Sequence, residues 1–141
     1  MAENWNISAF KTYTQYGPGG IGFYLHDDSG LAMIERARRL GVRNICVHKG
    51  LPFGPRSYEH SQCQDIGIVA KRSPDVNFLV YPSGFIPGQP EGPYDPSRGE
   101  GVDALIRSVE ENGVPRNANV YAELGSTWRY NMRDPDSAAH I

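Results

Sequence analysis

Three polar residues stand in or just after short apolar runs, where the ends of buried strands can form a chemical site. His48 follows three apolar residues and can offer a neutral imidazole nitrogen to a metal ion. Glu123 follows another apolar run and is a candidate metal ligand, base or orienting partner of His48. Lys11 is a point cation suited to a substrate carboxylate. These residues predict a site for a small anionic substrate, with a metal held through His48.

Each of these residues also has a purely structural interpretation. His48 can be a hydrogen-bonded histidine at a strand end, and Glu123 can form an ion pair with a neighbouring loop. Lys11 can pack its aliphatic stem while its ammonium stays in water. Spacing alone leaves both interpretations open for all three residues.

The other candidate groups give weaker signals. His26, His60 and His140 lie in expected loops or at the chain end, and no two of the four histidines have the spacing of a local metal-binding pair. The glycine-rich segment 17–22 lacks the Lys-Ser/Thr ending of a phosphate-binding loop, which argues against nucleotide binding.

Apolar periodicity predicts an alternating series of strands and helices that would position these residues. Four short apolar strands are expected at residues 7–14, 44–47, 77–81 and 119–124. Helices are expected at residues 31–40, 65–72 and around 102–109, and a further helix is expected to begin near residue 134. Asp28 or Ser29 is expected to cap the first helix, and Gly41 and Gly113 follow the ends of two helices.

This alternation predicts one α/β domain over residues 1–141, with about four parallel strands and intervening helices. Such strands belong either to an open doubly wound sheet or to part of a (β/α)₈ barrel, and periodicity does not separate the two. A full barrel takes about 250 residues. In both architectures the working residues collect at the carboxyl ends of the strands, where His48 and Glu123 stand.

Composition excludes several classes of function. Charged residues make up 21% of the chain and the net charge is -2, so nothing favours a nucleic-acid partner. No apolar run approaches the ~18–20 residues of a membrane span, and the amino-terminal segment lacks the features of a signal peptide. Cys46 in an expected strand and Cys63 on an expected helix fit a reducing compartment. We therefore expect a cytoplasmic protein that acts on a small molecule.

Three segments at expected strand ends resemble a known family. They are Phe10-Lys11-Thr12-Tyr13-Thr14-Gln15-Tyr16-Gly17-Pro18, Val47-His48-Lys49-Gly50-Leu51-Pro52 and Asn119-Val120-Tyr121-Ala122-Glu123-Leu124-Gly125-Ser126. In this order they are similar to the amidohydrolase-related family, which includes aminocarboxymuconate semialdehyde decarboxylase and resorcylate decarboxylase. The resemblance covers nearly the whole chain and implies a partial TIM barrel, with strands four to seven of a (β/α)₈ fold.

The resemblance implies a hydrolase or decarboxylase that acts on a small carboxylated or cyclic substrate and holds a divalent metal, most often zinc. His48 matches the metal ligand on the fifth strand, and Pro82 stands where the family carries a histidine after the sixth. The family's ligands on the first and eighth strands have no counterpart in this sequence. Since a catalytic zinc takes three protein ligands, we expect the chain to be inactive by itself and to hold no metal in the usual way.

Two other interpretations remain open. The chain can be a non-catalytic half-barrel that serves as a structural or interaction module, a view that Pro82 and the missing ligands favour. It can also be a flavodoxin-like binding domain. A four-stranded part of a barrel has two unpaired edges, so such a chain must pair with a copy of itself, pair with a separate half, re-form as an open sheet or be of low stability. A homodimer through these edges is one hypothesis among the four.

Overall fold

The computed structural model describes residues 5–139, so His140 lies outside the described part. The strands are β1 (Ala9–Tyr13), β2 (Asn44–His48), β3 (Asn77–Tyr81) and β4 (Val120–Ala122). The helices are α1 (Asp28–Arg39), α2 (Ile66–Arg72), α3 (Gly101–Glu111), α4 (Gly125–Asn131) and α5 (Pro135–Ala138). Short 3₁₀ turns lie at Pro18–Gly20 and Tyr58–Ser61. Within residues 5–139, no helix has the length and apolar character that crossing a membrane requires.

The four strands form one sheet in which all neighbours are parallel and lie in sequence order from β1 to β4. The register aligns Tyr13 with His48, and His48 in turn with Tyr81, so these three residues form one row at the carboxyl ends. Lys11 is aligned with Cys46, two residues before the pair formed by Tyr13 and His48. The predicted α/β class with a four-stranded parallel sheet is therefore confirmed.

One face of the sheet forms the hydrophobic core beneath α1, α2 and α3. The central strands bury alternate residues completely on this face, namely Ile45, Val47, Phe78 and Val80. Helix residues pack against them, namely Ile34, Ala37, Ile66, Val69 and Leu105. Each fully buried side chain of this size contributes about 1.5–3 kcal/mol. Each strand is added on the same side of the strand before it, and right-handed crossovers in such a series place their helices on one face of the sheet. The other face of the sheet is therefore left without helices packed against it.

The opposite face of the sheet is open among the described residues. Tyr13 and Tyr121 are 43% and 50% exposed there, and Cys46 and Leu79 are partly exposed. This open face carries rings, a lysine and a thiol instead of a continuous apolar layer. Its carboxyl end holds the candidate site.

Several predicted boundaries are corrected by the structure. Helix α1 begins at Asp28 instead of residue 31, and Asp27, not Asp28 or Ser29, occupies the position before it. The side chain of Asp27 accepts a hydrogen bond from the amide of Tyr24. Cys63 precedes α2 and lies outside any helix, and β4 ends at Ala122.

Helix α4 was not predicted, and the apolar residues at helical spacing along it, Leu124, Trp128 and Met132, are all exposed. Two polar contacts join it to the end of β3: the buried Thr127 donates its hydroxyl to the carbonyl of Pro82 at 3.0 Å, and the hydroxyls of Ser126 and Tyr81 lie 2.7 Å apart. Its first residue, Gly125, has φ +35°, and a Cβ there would lie 1.9 Å from a ring carbon of Tyr81. Glycine therefore lets α4 start directly against the end of β3.

Candidate functional site

A pocket of about 440 Å³ opens at the carboxyl ends of β1, β2 and β3. It is lined by four aromatic rings, an imidazole, a guanidinium, a hydroxyl and two aliphatic side chains: Tyr13, Phe53, Tyr81, Tyr130, His48, Arg129, Ser126, Leu51 and Pro52. This is the end of a parallel sheet at which α/β proteins place their ligands. The lining suits a small planar molecule with a negative group.

His48 lies in the wall of this pocket, enclosed by rings. Its own ring stacks on Tyr13 at 5.2 Å between centroids, and Phe53 and Tyr81 approach it to 4.7 and 5.6 Å. The residue is only 5% exposed. The histidine predicted to stand at a strand end is therefore the last residue of β2 and is held there by aromatic packing.

The hydrogen bonds of His48 define the form of its imidazole. Nε2 lies 3.1 Å from the carbonyl oxygen of Leu51, and a carbonyl can only accept, so Nε2 carries the proton. Nδ1 is buried and has no hydrogen-bond partner among the described residues. Burial lowers the pKa of His48, the carbonyl of Leu51 opposes this, and the charge of Lys11 lowers the pKa further. His48 is thus a neutral ring whose Nδ1 is enclosed by the protein.

Lys11 lies in the middle of β1, one alternation before Tyr13, and not at the strand end where the sequence suggested. Its ammonium sits 4.7 Å from the ring centroid of Tyr81 and 5.2 Å from that of Tyr13. Burial of the amine by this surrounding protein lowers the pKa of Lys11, while Cys46 and Glu123 oppose that shift. Lys11 is an exposed residue of the open face whose ammonium lies over the rings of Tyr13 and Tyr81.

Glu123 lies just beyond β4 and is exposed. Its carboxylate accepts a hydrogen bond from the amide of Gly125 at 3.1 Å, and its carbonyl accepts one from Ser83 at 2.7 Å. The ring of His48 is fixed by its hydrogen bond to the carbonyl of Leu51, so Glu123 is not its orienting partner. Glu123 acts on Lys11 through its charge, so it belongs to the electrostatics of the open face.

The metal that the resemblance implies requires several ligand side chains close together. Among residues 5–139, no group of three or more histidine, cysteine, aspartate or glutamate side chains could hold a metal ion. His26 and His60 lie beside the ring of Tyr24, at 5.3 and 4.5 Å, and do not line the pocket. The described residues thus do not fit the metal site that the resemblance implies.

A buried ion pair behind the pocket was missed by the sequence analysis. Lys49 and Asp65 are both 0% exposed, and their Nζ and Oδ2 atoms lie 2.9 Å apart. Lys49 also donates to the carbonyl of His60 at 3.0 Å, and Asp65 accepts from the amide of Leu25 at 2.7 Å. These contacts connect the end of β2 to the segments that precede α1 and α2. No local sequence pattern could have revealed it, because its members are far apart in the chain.

The aromatic lining and Arg129 were also missed. Tyr13 and Tyr81 are the last residues of β1 and β3, and their register with His48 is the signal that could have identified them. Phe53 and Arg129 come from a loop and from the unpredicted helix α4. No protein-family model matches this chain, and comparisons with curated proteins and with solved structures also find no match.

Proposed function

We propose that this chain belongs to a metal-dependent hydrolase or decarboxylase of the amidohydrolase-related type and contributes strands four to seven of a (β/α)₈ barrel. The observation that carries the proposal is the sequential parallel sheet, whose open face ends in a pocket around His48. Doubly wound and flavodoxin-like sheets reverse their strand order at a switch point, whereas barrel strands run on in sequence. The strand order therefore supports the barrel over those alternatives.

The substrate of such a site is a small carboxylated or cyclic molecule. Tyr13, Phe53 and Tyr81 offer ring faces against which a planar substrate can stack. Arg129 can bind a carboxylate through two parallel N–H donors, and Lys11 adds positive charge over the rings. These residues bind and orient the substrate beside the neutral imidazole of His48.

A bound divalent metal would activate water or position a carboxylate for loss of carbon dioxide. His48 matches one ligand of that metal in the resemblance, although its Nδ1 is buried in this chain. A catalytic zinc takes three protein ligands, and the described residues supply one. The proposal therefore requires the other ligands of the metal to come from a second polypeptide segment.

Benzoate binding followed by NMR tests this proposal. We expect benzoate to shift the resonances of Tyr13, His48 and Tyr81, because a planar carboxylate fits the pocket. Arg129→Gln should weaken the binding, whereas Arg133→Gln, an equivalent change at an exposed position just after α4, should leave it unchanged. Benzoate that binds elsewhere, or equally well to both variants, would contradict the proposed substrate site. Stoichiometric zinc retained by the chain alone would contradict its single-ligand role.

A second candidate function is a non-catalytic half-barrel that pairs with a copy of itself. The observation in its favour is the position of the exposed apolar side chains, many of which flank the two edge strands. Trp5, Tyr13, Tyr16 and Ile21 lie towards β1, and Tyr121, Leu124, Trp128 and Met132 lie towards β4. Burying these edges against a second copy would form a closed eight-stranded sheet.

Sedimentation velocity separates this candidate from a monomeric fragment. A homodimer predicts a species of twice 15.6 kDa that dissociates on dilution. Tyr121→Lys at the β4 edge should shift it to monomer, and Ile68→Lys, at an exposed position on α2, should not. A compact monomer at every concentration would exclude the interaction module.

A further inference from the structure

Residues 51–57 form a loop that lies against His48 at the carboxyl end of the sheet. The carbonyl of Leu51 accepts a hydrogen bond from Nε2 of His48 at 3.1 Å, and the ring of Phe53 lies 4.7 Å from the imidazole. The first three residues of the loop also line the pocket. Loop 51–57 therefore helps to keep His48 buried.

Both ends of this loop have an unusual backbone conformation. Leu51 has φ 39° and Ser57 has φ 52°, in the left-handed region that residues other than glycine rarely adopt. Such residues concentrate at ligand clamps and switch segments, where surrounding contacts offset the strain. The amide of Leu51 donates to the carbonyl of Phe85 at 2.7 Å, and the hydroxyl of Ser57 accepts from the amide of Gly22 at 3.2 Å. The two ends are thus fixed to other segments, and the residues between them form a separate unit.

The middle of the loop is held mainly by one buried side chain, that of Gln15, which follows β1. Its Oε1 accepts from the amide of Phe53 at 2.8 Å, and its Nε2 donates to the carbonyl of Arg56 at 3.0 Å. Arg56 in turn donates to the carbonyl of Gly20 at 2.6 Å. Since the ring of Phe53 is 49% exposed, apolar burial holds the loop only in part. Gln15 thus fastens loop 51–57 to the sheet through polar contacts.

We propose that Gln15 is a positioning residue that latches loop 51–57 across the pocket, and that this loop is a gate which opens to give ligands access to His48. In the closed loop, Nε2 of His48 is engaged by Leu51 and Nδ1 is buried. Rotation about the backbone of Leu51 would turn its carbonyl away from Nε2 and lift Phe53 from the ring. This gate deepens the proposed function, because it requires that the pocket is the ligand site.

Modification by diethyl pyrocarbonate tests the gate without any ligand. This reagent acylates unprotonated imidazole nitrogens that solvent can reach, and peptide mass spectrometry quantifies each histidine. In the wild type, we expect His48 to react more slowly than His26, whose side chain is 34% exposed. Gln15→Met removes both hydrogen bonds to the loop and keeps a side chain of similar length. It should raise the rate at His48 roughly tenfold and leave His26 unchanged, because each lost hydrogen bond shifts the balance between closed and open loop by a few-fold.

The matched control is Gln62→Met, at another buried glutamine that lies outside the pocket. It should leave His48 as unreactive as in the wild type. Amide exchange of the β2 residues should be the same in Gln15→Met and the wild type, which separates opening of the loop from unfolding. An unchanged rate at His48 in Gln15→Met, an equal increase in Gln62→Met, or a wild-type His48 that reacts as fast as His26 would overturn the proposal.

A second variant keeps the test decisive if Gln15→Met fails to fold. Arg56→Gln removes the outer contact of the loop at an exposed position. It should raise the rate at His48 by about threefold, as expected for one lost hydrogen bond. Arg133→Gln, also at an exposed position, should leave the rate unchanged, and equal rates in these two variants would contradict the gate.

Benzoate separates the gate from the proposed function. If the loop controls entry, Gln15→Met should speed both the binding and the release of benzoate, and unchanged rates would count against the gate. A wild-type chain that binds no benzoate would refute the proposed substrate site. The labelling of His48 would still decide whether the loop is a gate, because that reaction needs no ligand.

Discussion

Asp65→Asn should destabilise the fold more than any surface substitution, because it leaves the ammonium of Lys49 buried without a counter-charge. The wild-type carboxylate lies 2.9 Å from that ammonium and also accepts from the amide of Leu25. Removing one member of a buried ion pair costs about 3–5 kcal/mol. The asparagine oxygen can still accept from Leu25, and the carbonyl of His60 still accepts from Lys49. We therefore expect a loss near the lower limit, about 3 kcal/mol.

The double variant Lys49→Met with Asp65→Asn should recover much of this loss. It removes the buried charge together with its partner, and methionine fills the volume of the lysine stem. The carbonyl of His60 stays satisfied because Thr14 also donates to it. Replacing both members of a buried pair is often close to neutral.

Urea unfolding followed by circular dichroism measures these free energies. Asp75→Asn serves as the matched control, since Asp75 pairs with Arg38 and Arg43 at the surface and its removal should leave stability close to that of the wild type. The reasoning fails if Asp65→Asn is no more destabilising than this control, or if the double variant is less stable than Asp65→Asn alone.

Three further outcomes follow from particular contacts. Burial raises the pKa of the Cys63 thiol to about 12, so a thiol reagent should label Cys46 in the folded chain and both cysteines after denaturation. Burial lowers the pKa of His48 in the folded state. The unfolded chain, in which the pKa of His48 is about 6.5, therefore takes up a proton first as the pH falls. Folding stability should be fully present above that pH and should decrease below it. A His48→Gln variant should lose that part of the pH dependence in urea titrations. Gly67→Ala places a Cβ 1.9 Å from a carbonyl oxygen on α3 and should cost about 1–3 kcal/mol in such titrations, while Gly99→Ala, which meets nothing within 4 Å, should cost little.

The parallel sheet could be predicted from the sequence because its strands are short apolar runs separated by helical periodicity. The segment at β2 illustrates this: Ile45 and Val47 are completely buried, and His48 follows them as the last residue of the strand. His48 follows the apolar residues of its strand, and in a parallel sheet all strands end at the same edge. These two facts are sufficient to predict that His48 lies at the carboxyl end of the sheet.

The rest of the site depends on contacts between segments distant in sequence. The carbonyl that fixes the ring of His48 belongs to Leu51, whose backbone has φ 39°, an unusual conformation for a residue other than glycine. Arg129 reaches the pocket from α4, which is held by the hydroxyl of Thr127 on a distant carbonyl. Neither periodicity nor composition contains this information. The same holds for the pair formed by Lys49 and Asp65.

His48 is a neutral imidazole in the wall of this pocket, and its Nδ1 is buried without a hydrogen-bond partner among the described residues. Long-range ¹H–¹⁵N NMR of the histidine rings measures this form of the ring directly, with His48→Gln used for assignment. The structure predicts that, near neutral pH, the ring of His48 carries its proton on Nε2 and that its Nδ1 resonance moves when benzoate is added. A doubly protonated ring, a proton on Nδ1, or a resonance that benzoate leaves unchanged would contradict this account.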